Sequence, residues 1–182
     1  MKRKRNDPVT PEMRERLLEN RSGKMTVAQW LDIVMQPMTA LVVLLIPAGF
    51  LLLPRAVALF ARGGWFIVLV LVAIALSTFL MRAYRYARRP LRYATMDAVA
   101  NTPPVWMFWR PLILRDEAGR VLRFRQRLAP RPPLARDETY HVYYLMDGDE
   151  PVLLSAAPVD HPDADQWRPS EDFAERSRRR TG

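Results

Sequence analysis

Histidines and clustered carboxylates are the residues of this chain best suited to acid–base or metal chemistry, and they are few. The two histidines are His141, in an aromatic-rich stretch, and His161, within Asp160-His161-Pro162-Asp163-Ala164-Asp165. That acidic run offers oxygen and imidazole ligands to a divalent cation, yet it lacks EF-hand spacing and contains a proline, so a solvated loop is the favoured reading. Asp147, Asp149 and Glu150 resemble paired carboxylates, but Asp-Gly is also ordinary turn chemistry. Ser155 has neither a nucleophile-elbow setting nor an evident base. No phosphate-cradling glycine loop, HExxH or dinucleotide fingerprint occurs. The absence of cysteine excludes thiolate catalysis, disulfides and cysteine-bound zinc or iron–sulfur clusters. The sequence therefore predicts no catalytic, metal or cofactor-binding residues and a protein that is not an enzyme.

The elements that would position any site divide the chain sharply. Over 182 residues the net charge is +9, and the mean hydropathy of −0.14 is an average of very apolar and very charged stretches. Such a charge suits a nucleic acid or an anionic lipid surface.

Met38–Leu53 and Trp65–Met81 carry no charge over about 16 and about 17 residues. They predict a transmembrane helical hairpin over residues 38–81, with Pro47 and Gly49 in the first span, Gly63-Gly64 in the connecting turn, and Trp30 and Trp65 as interface anchors. The apolar block starts too late for a signal peptide and reads as an uncleaved anchor. Basic residues flank the runs, from Lys2 to Lys24 before the first and at Arg82, Arg85, Arg88, Arg89 and Arg92 after the second, with Arg55 and Arg62 between. The positive-inside rule then puts both termini in the cytoplasm, in a two-span protein of the cell inner membrane.

In the basic, amphipathic segment 1–37, Thr10-Pro11-Glu12 predicts a helix start and Arg21-Ser22-Gly23 its stop, with a second start at Thr26. This segment is either an interfacial helix or docking arm, or a solvated tail. Residues 82–92 form a juxtamembrane basic segment, 93–158 a small β-domain and 159–182 a polar tail. In the β-domain, Val105–Leu114 reads as a strand, with Trp106 and Phe108 on one face and Met107 and Trp109 on the other. Leu122, Phe124 and Leu128 alternate with Arg123, Arg125 and Arg127, Gln126 being the lapse, so one face goes inward and the other is an arginine ridge. Tyr140–Met146 and Pro151–Ala156 predict a hairpin. The expected class is an α+β membrane protein, a two-helix transmembrane hairpin followed by a small antiparallel β-barrel or curled sheet.

Tyr140–Pro158, YHVYYLMDGDEPVLLSAAP, resembles a pattern ending the cytosolic domain of uncharacterised bacterial two-span membrane proteins. The order of two spans and a β-domain also looks like that of NfeD-type membrane proteins, whose appended domain is an OB-like barrel. These readings converge on a non-catalytic, membrane-anchored accessory or scaffold protein, a small subunit of a larger membrane complex. The alternatives are an anchored β-domain binding a ligand or nucleic acid, and a membrane-associated hydrolase. The expected partners are the lipid bilayer and a protein or second copy, with nucleic acid third; the surface for them comprises Arg82, Arg85, Arg88, Arg89, Arg92, Trp106, Phe108, Trp109, Arg123, Arg125 and Arg127.

Overall fold

The computed structural model describes residues 8–33, 35, 65–103, 107, 110–129 and 134–181. They belong to two compact units, Met1–Gln29 with Arg89–Gly182, and Trp30–Arg88. Helix α1 (Pro11–Asn20) opens the first unit, and helix α2 (Trp65–Ala87) lies in the second.

The transmembrane hairpin is the main correction to the sequence reading. No helix among the described residues is long and apolar enough to cross a membrane. Within α2 the uncharged run ends at Met81, before Arg82 and Arg85. About 17 residues at about 1.5 Å each give roughly 25 Å, short of an apolar layer about 30 Å thick. The expected first span, Met38–Leu53, lies outside the described residues. The two-span inner-membrane location, the transmembrane class and the orientation by positive charge all presupposed that hairpin and fall with it.

The first unit is built on a six-stranded sheet of β1 (Arg92–Ala98), β2 (Leu112–Asp116), β3 (Val121–Phe124), β4 (Gln126–Arg127), β5 (Thr139–Asp147) and β6 (Glu150–Pro158), in the order β3-β2-β1-β5-β6-β4. Only Arg125 separates β3 from β4, so the two ends of the sheet are consecutive in the chain and the sheet curls back on itself. Counting β3 and β4 as one broken strand gives a circuit of five. An odd circuit cannot alternate direction throughout, and its parallel pair is β4 with β6. The sheet is therefore mixed, where an antiparallel one was expected.

Register sorts the side chains. Met96, Ala98, Leu112, Leu114, Phe124, Tyr140, Val142, Tyr144 and Ala156 are buried and face inward, with Phe124 edge-on to Tyr144 at 5.9 Å. Tyr93, Thr95, Ile113, Arg115, Arg123, His141, Tyr143 and Ser155 take the opposite, outward positions of the same ladders. A bulge at Tyr143/Tyr144 leaves Leu154 without an opposite residue. The β5–β6 hairpin turns at Gly148, whose φ of 65° is the left-handed conformation that glycine adopts without penalty. The ladder of β2 begins only at Leu112; Pro111 just before it has no N–H to donate. Of the strand expected over Val105–Leu114, Met107, Arg110 and Pro111 are not in a strand, and residues 105, 106, 108 and 109 lie outside the described residues.

Candidate functional site

The outward face of β5 and β6 is covered by both ends of the first unit. In α1, Thr10 Oγ1 accepts from the Met13 N–H at 3.2 Å, Pro11 occupies the first turn, and Met13, Arg16, Leu17 and Asn20 form the buried face. Two of these four are polar, and each has a long-range partner. Arg16 Nη1 donates to the Leu128 carbonyl while its Nη2 donates to Glu12 at 2.6 Å, and Asn20 Nδ2 donates to Ser155 Oγ at 2.7 Å. Residues 27–33 are helical, started by a reciprocal capping box: Thr26 N–H donates to Gln29 Oε1 at 3.0 Å, and Gln29 N–H to Thr26 Oγ1 at 3.1 Å. The amide Nε2 of Gln29 donates to the Leu154 carbonyl at 3.1 Å, satisfying the residue the bulge leaves over.

The C-terminal segment completes the cover with a 3-10 helix (Ala164–Trp167) and α3 (Glu171–Thr181). Tyr143 donates its hydroxyl to the Trp167 carbonyl at 2.6 Å, and Trp167 is 1% exposed. Arg14 pairs with Asp163 at 2.8 Å, Ser170 donates through N–H and Oγ to the Arg21 carbonyl, and Arg176 donates to the Ser22 carbonyl. The chain ends therefore hold each other as well as the sheet.

Beneath this cover lies a buried histidine. His141 is 3% exposed, its Nδ1 lies 2.7 Å from the Tyr93 hydroxyl, and its buried Nε2 has no hydrogen-bond partner among the described residues. Burial, reinforced by the Arg168 charge and partly offset by Asp165, holds the imidazole below its ordinary pKa. Burial and the neighbouring Tyr93 push the Tyr143 hydroxyl up against a smaller opposing effect of Arg21, and burial carries Tyr140 to about 12. His161, the other histidine, lies against Trp167 with ring centres 4.7 Å apart and accepts at Nδ1 from the Asp163 N–H. His141 is oriented by a tyrosine hydroxyl rather than a carboxylate and is shut off from solvent, an arrangement suited to sensing protons rather than passing them to a substrate.

The other expected site residues are dispersed. Arg82 and Arg85 lie 5.5 Å from the Tyr86 ring centre and Arg88 is 4.1 Å from that of Tyr84, all around the end of α2; Arg89 follows in the turn and Arg92 opens β1, exposed. The ridge does not form one face. Arg123 points outward from β3, Arg125 sits in the break and pairs with Glu150 at 3.3 Å, and Arg127 donates to the Arg110 carbonyl at 2.9 Å. Arg115, which the sequence reading left out, joins Arg123 on the outward face through the β2–β3 register. Trp30 is half-buried in the helical stretch after Thr26, and Trp65 is the first residue of α2. Trp106, Phe108 and Trp109 lie outside the described residues.

Among the described residues no three His, Asp or Glu side chains come together as a metal-ligand group. A groove of about 280 Å³ runs beside α1, lined by Glu12, Glu15, Arg16, Glu19 and residues 25–28. It falls just under the roughly 300–1,000 Å³ of small-molecule pockets. On α2, Val70, Ile74, Met81 and Tyr84 are exposed and recur along one helix face. Comparison of the chain with protein-family models, with curated proteins and with solved structures finds no match.

Proposed function

We propose that this chain is a non-catalytic accessory or scaffold subunit of a protein complex. The observation that carries the reading is the apolar face of α2, where Ile74 is 58% and Met81 66% exposed. Contiguous apolar surface of this kind marks a contact with another molecule. The exposed Thr78 spends its hydroxyl on its own helix, Oγ1 donating to the Ile74 carbonyl at 2.8 Å. The native particle, isolated from its source cells and sized with its components identified by mass spectrometry, is expected to exceed the 21.1 kDa of one chain. Ile74→Glu with Met81→Glu is expected to return it to that size. A wild-type chain that migrates as a monomer overturns the proposal.

A second reading, the binding of a nucleic acid, draws on Arg115 and Arg123. They are diagonal neighbours on the outward face of β2 and β3, and neither makes an ion pair among the described residues. Asp97, opposite Arg115 in register, accepts from Thr139 Oγ1 at 2.7 Å instead. Two adjacent guanidinium groups without a counter-charge repel each other and suit phosphate oxygens. Binding of a single-stranded oligonucleotide by the full chain is expected to weaken with salt, and Arg115→Gln with Arg123→Gln to lower affinity at least about tenfold and flatten the salt slope. Equal binding by wild type and variant removes this reading.

A further inference from the structure

We infer that the C-terminal cover is an acid-sensitive latch, in which protonation of His141 releases the 3-10 helix and α3 from the outward face of β5 and β6. The chain has two histidines, and the segment around Trp167 acts on both, on His141 through the charges of Arg168 and Asp165. His161 lies against the Trp167 ring. His141 shares its strand face with Tyr143, whose hydroxyl holds the Trp167 carbonyl.

The geometry penalises a second proton on His141 whichever nitrogen carries the first. With Nδ1 engaged by Tyr93, a doubly protonated ring has an Nε2–H buried without an acceptor, and a charge removed from water. The groups facing it do not supply the missing compensation. Tyr93 comes from β1 and Tyr143 from its own strand. The 3-10 segment brings Asp165 and Arg168, with Asp163 committed to Arg14 of α1. Arg21, after α1, acts on Tyr143, and α3 brings Glu171, Asp172, Glu175 and Arg176, the last donating to the Ser22 carbonyl. At His141 itself Asp165 only partly offsets burial and the Arg168 charge, so a further cation beneath the cover is unfavourable.

The direction of the pH effect follows. With the cover docked, His141 titrates below its ordinary value of 6.5; with the cover released, its Nε2 meets water and its pKa rises toward that value. Above about pH 6.5 both forms are neutral and the latch is closed. As pH falls below that, only the released form takes up the proton, and docking weakens until the docked form titrates too. Release uncovers Tyr143, over which the Trp167 carbonyl and the Phe173 ring lie, and Tyr93 beside it, a polar and aromatic surface available only in acid.

Hydrogen exchange of the full chain, read by mass spectrometry at about pH 7.5 and 5 and normalised for intrinsic rates, tests this. Protection over residues 160–181 is expected to fall about tenfold in acid, while β1–β3 stay protected. His141→Gln is expected to abolish the fall and His161→Gln to keep it. An unchanged fall in His141→Gln, or none in the wild type, overturns the inference. Should His141→Gln unfold the sheet, NMR titration of the wild type decides. The His141 ring and Trp167 indole must share a midpoint below 6.5, and a higher midpoint or an unresponsive indole overturns it equally.

Discussion

A fragment spanning residues 89–158 is expected to lose cooperative unfolding altogether. It keeps all six strands, yet it discards α1 and the C-terminal segment, and with them Met13, Leu17 and Trp167, each no more than 1% exposed. At about 1.5–3 kcal/mol for each large buried side chain, the loss is several kcal/mol, of the order of a small domain's whole stability. The fragment also opens His141, Tyr143 and Ser155 to water and strips the Leu154 carbonyl of the Gln29 amide. A domain of this length has little reserve. Urea titration followed by circular dichroism, with a dye that reports exposed apolar surface, is the measurement. A broad, sloping transition with strong dye binding is expected, whereas one sharp transition would show that the curled sheet stands without its cover.

The local features of this cover were legible in the sequence; their partners were not. Thr10-Pro11-Glu12 marked the start of α1, because capping chemistry is written within a few residues, and Asp147-Gly148 marked the β5–β6 turn for the same reason. Alternation placed Leu122 and Phe124 inward and Arg123 outward, and the lapse at Gln126 falls where β3 gives way to β4. What turns Arg16, Asn20 and Gln29 into structural residues lies 112, 135 and 125 positions away. A polar residue on a helix looks solvated until the acceptor across the fold is known. His141 was hidden likewise, since one strand position says nothing of the segment that closes over it. The run Trp65–Met81 misled for a different reason: hydropathy records dislike of water and does not distinguish lipid from a protein partner. In the described structure that run is the start of a helix that soon becomes charged.

The polar row on α1 provides the second large effect, and it separates a structural arginine from an ornamental one. Arg16→Ala is expected to lower stability by about 2–4 kcal/mol, because it leaves the Leu128 carbonyl without its guanidinium donor and opens a cavity where a side chain 5% exposed had been. Arg14→Ala, two residues earlier, removes an ion pair whose members are 38% and 31% exposed. Solvent screens that pair, so its loss is expected to stay within about 1 kcal/mol. Arg16→Met refines the comparison: it restores much of the volume and none of the hydrogen bonding, so its recovery relative to alanine measures packing alone. Denaturation midpoints at constant slope would give all three values. If Arg16→Ala and Arg14→Ala cost the same, the carbonyl of Leu128 finds water when α1 is altered, and the bond between helix and sheet is a contact rather than a fastening.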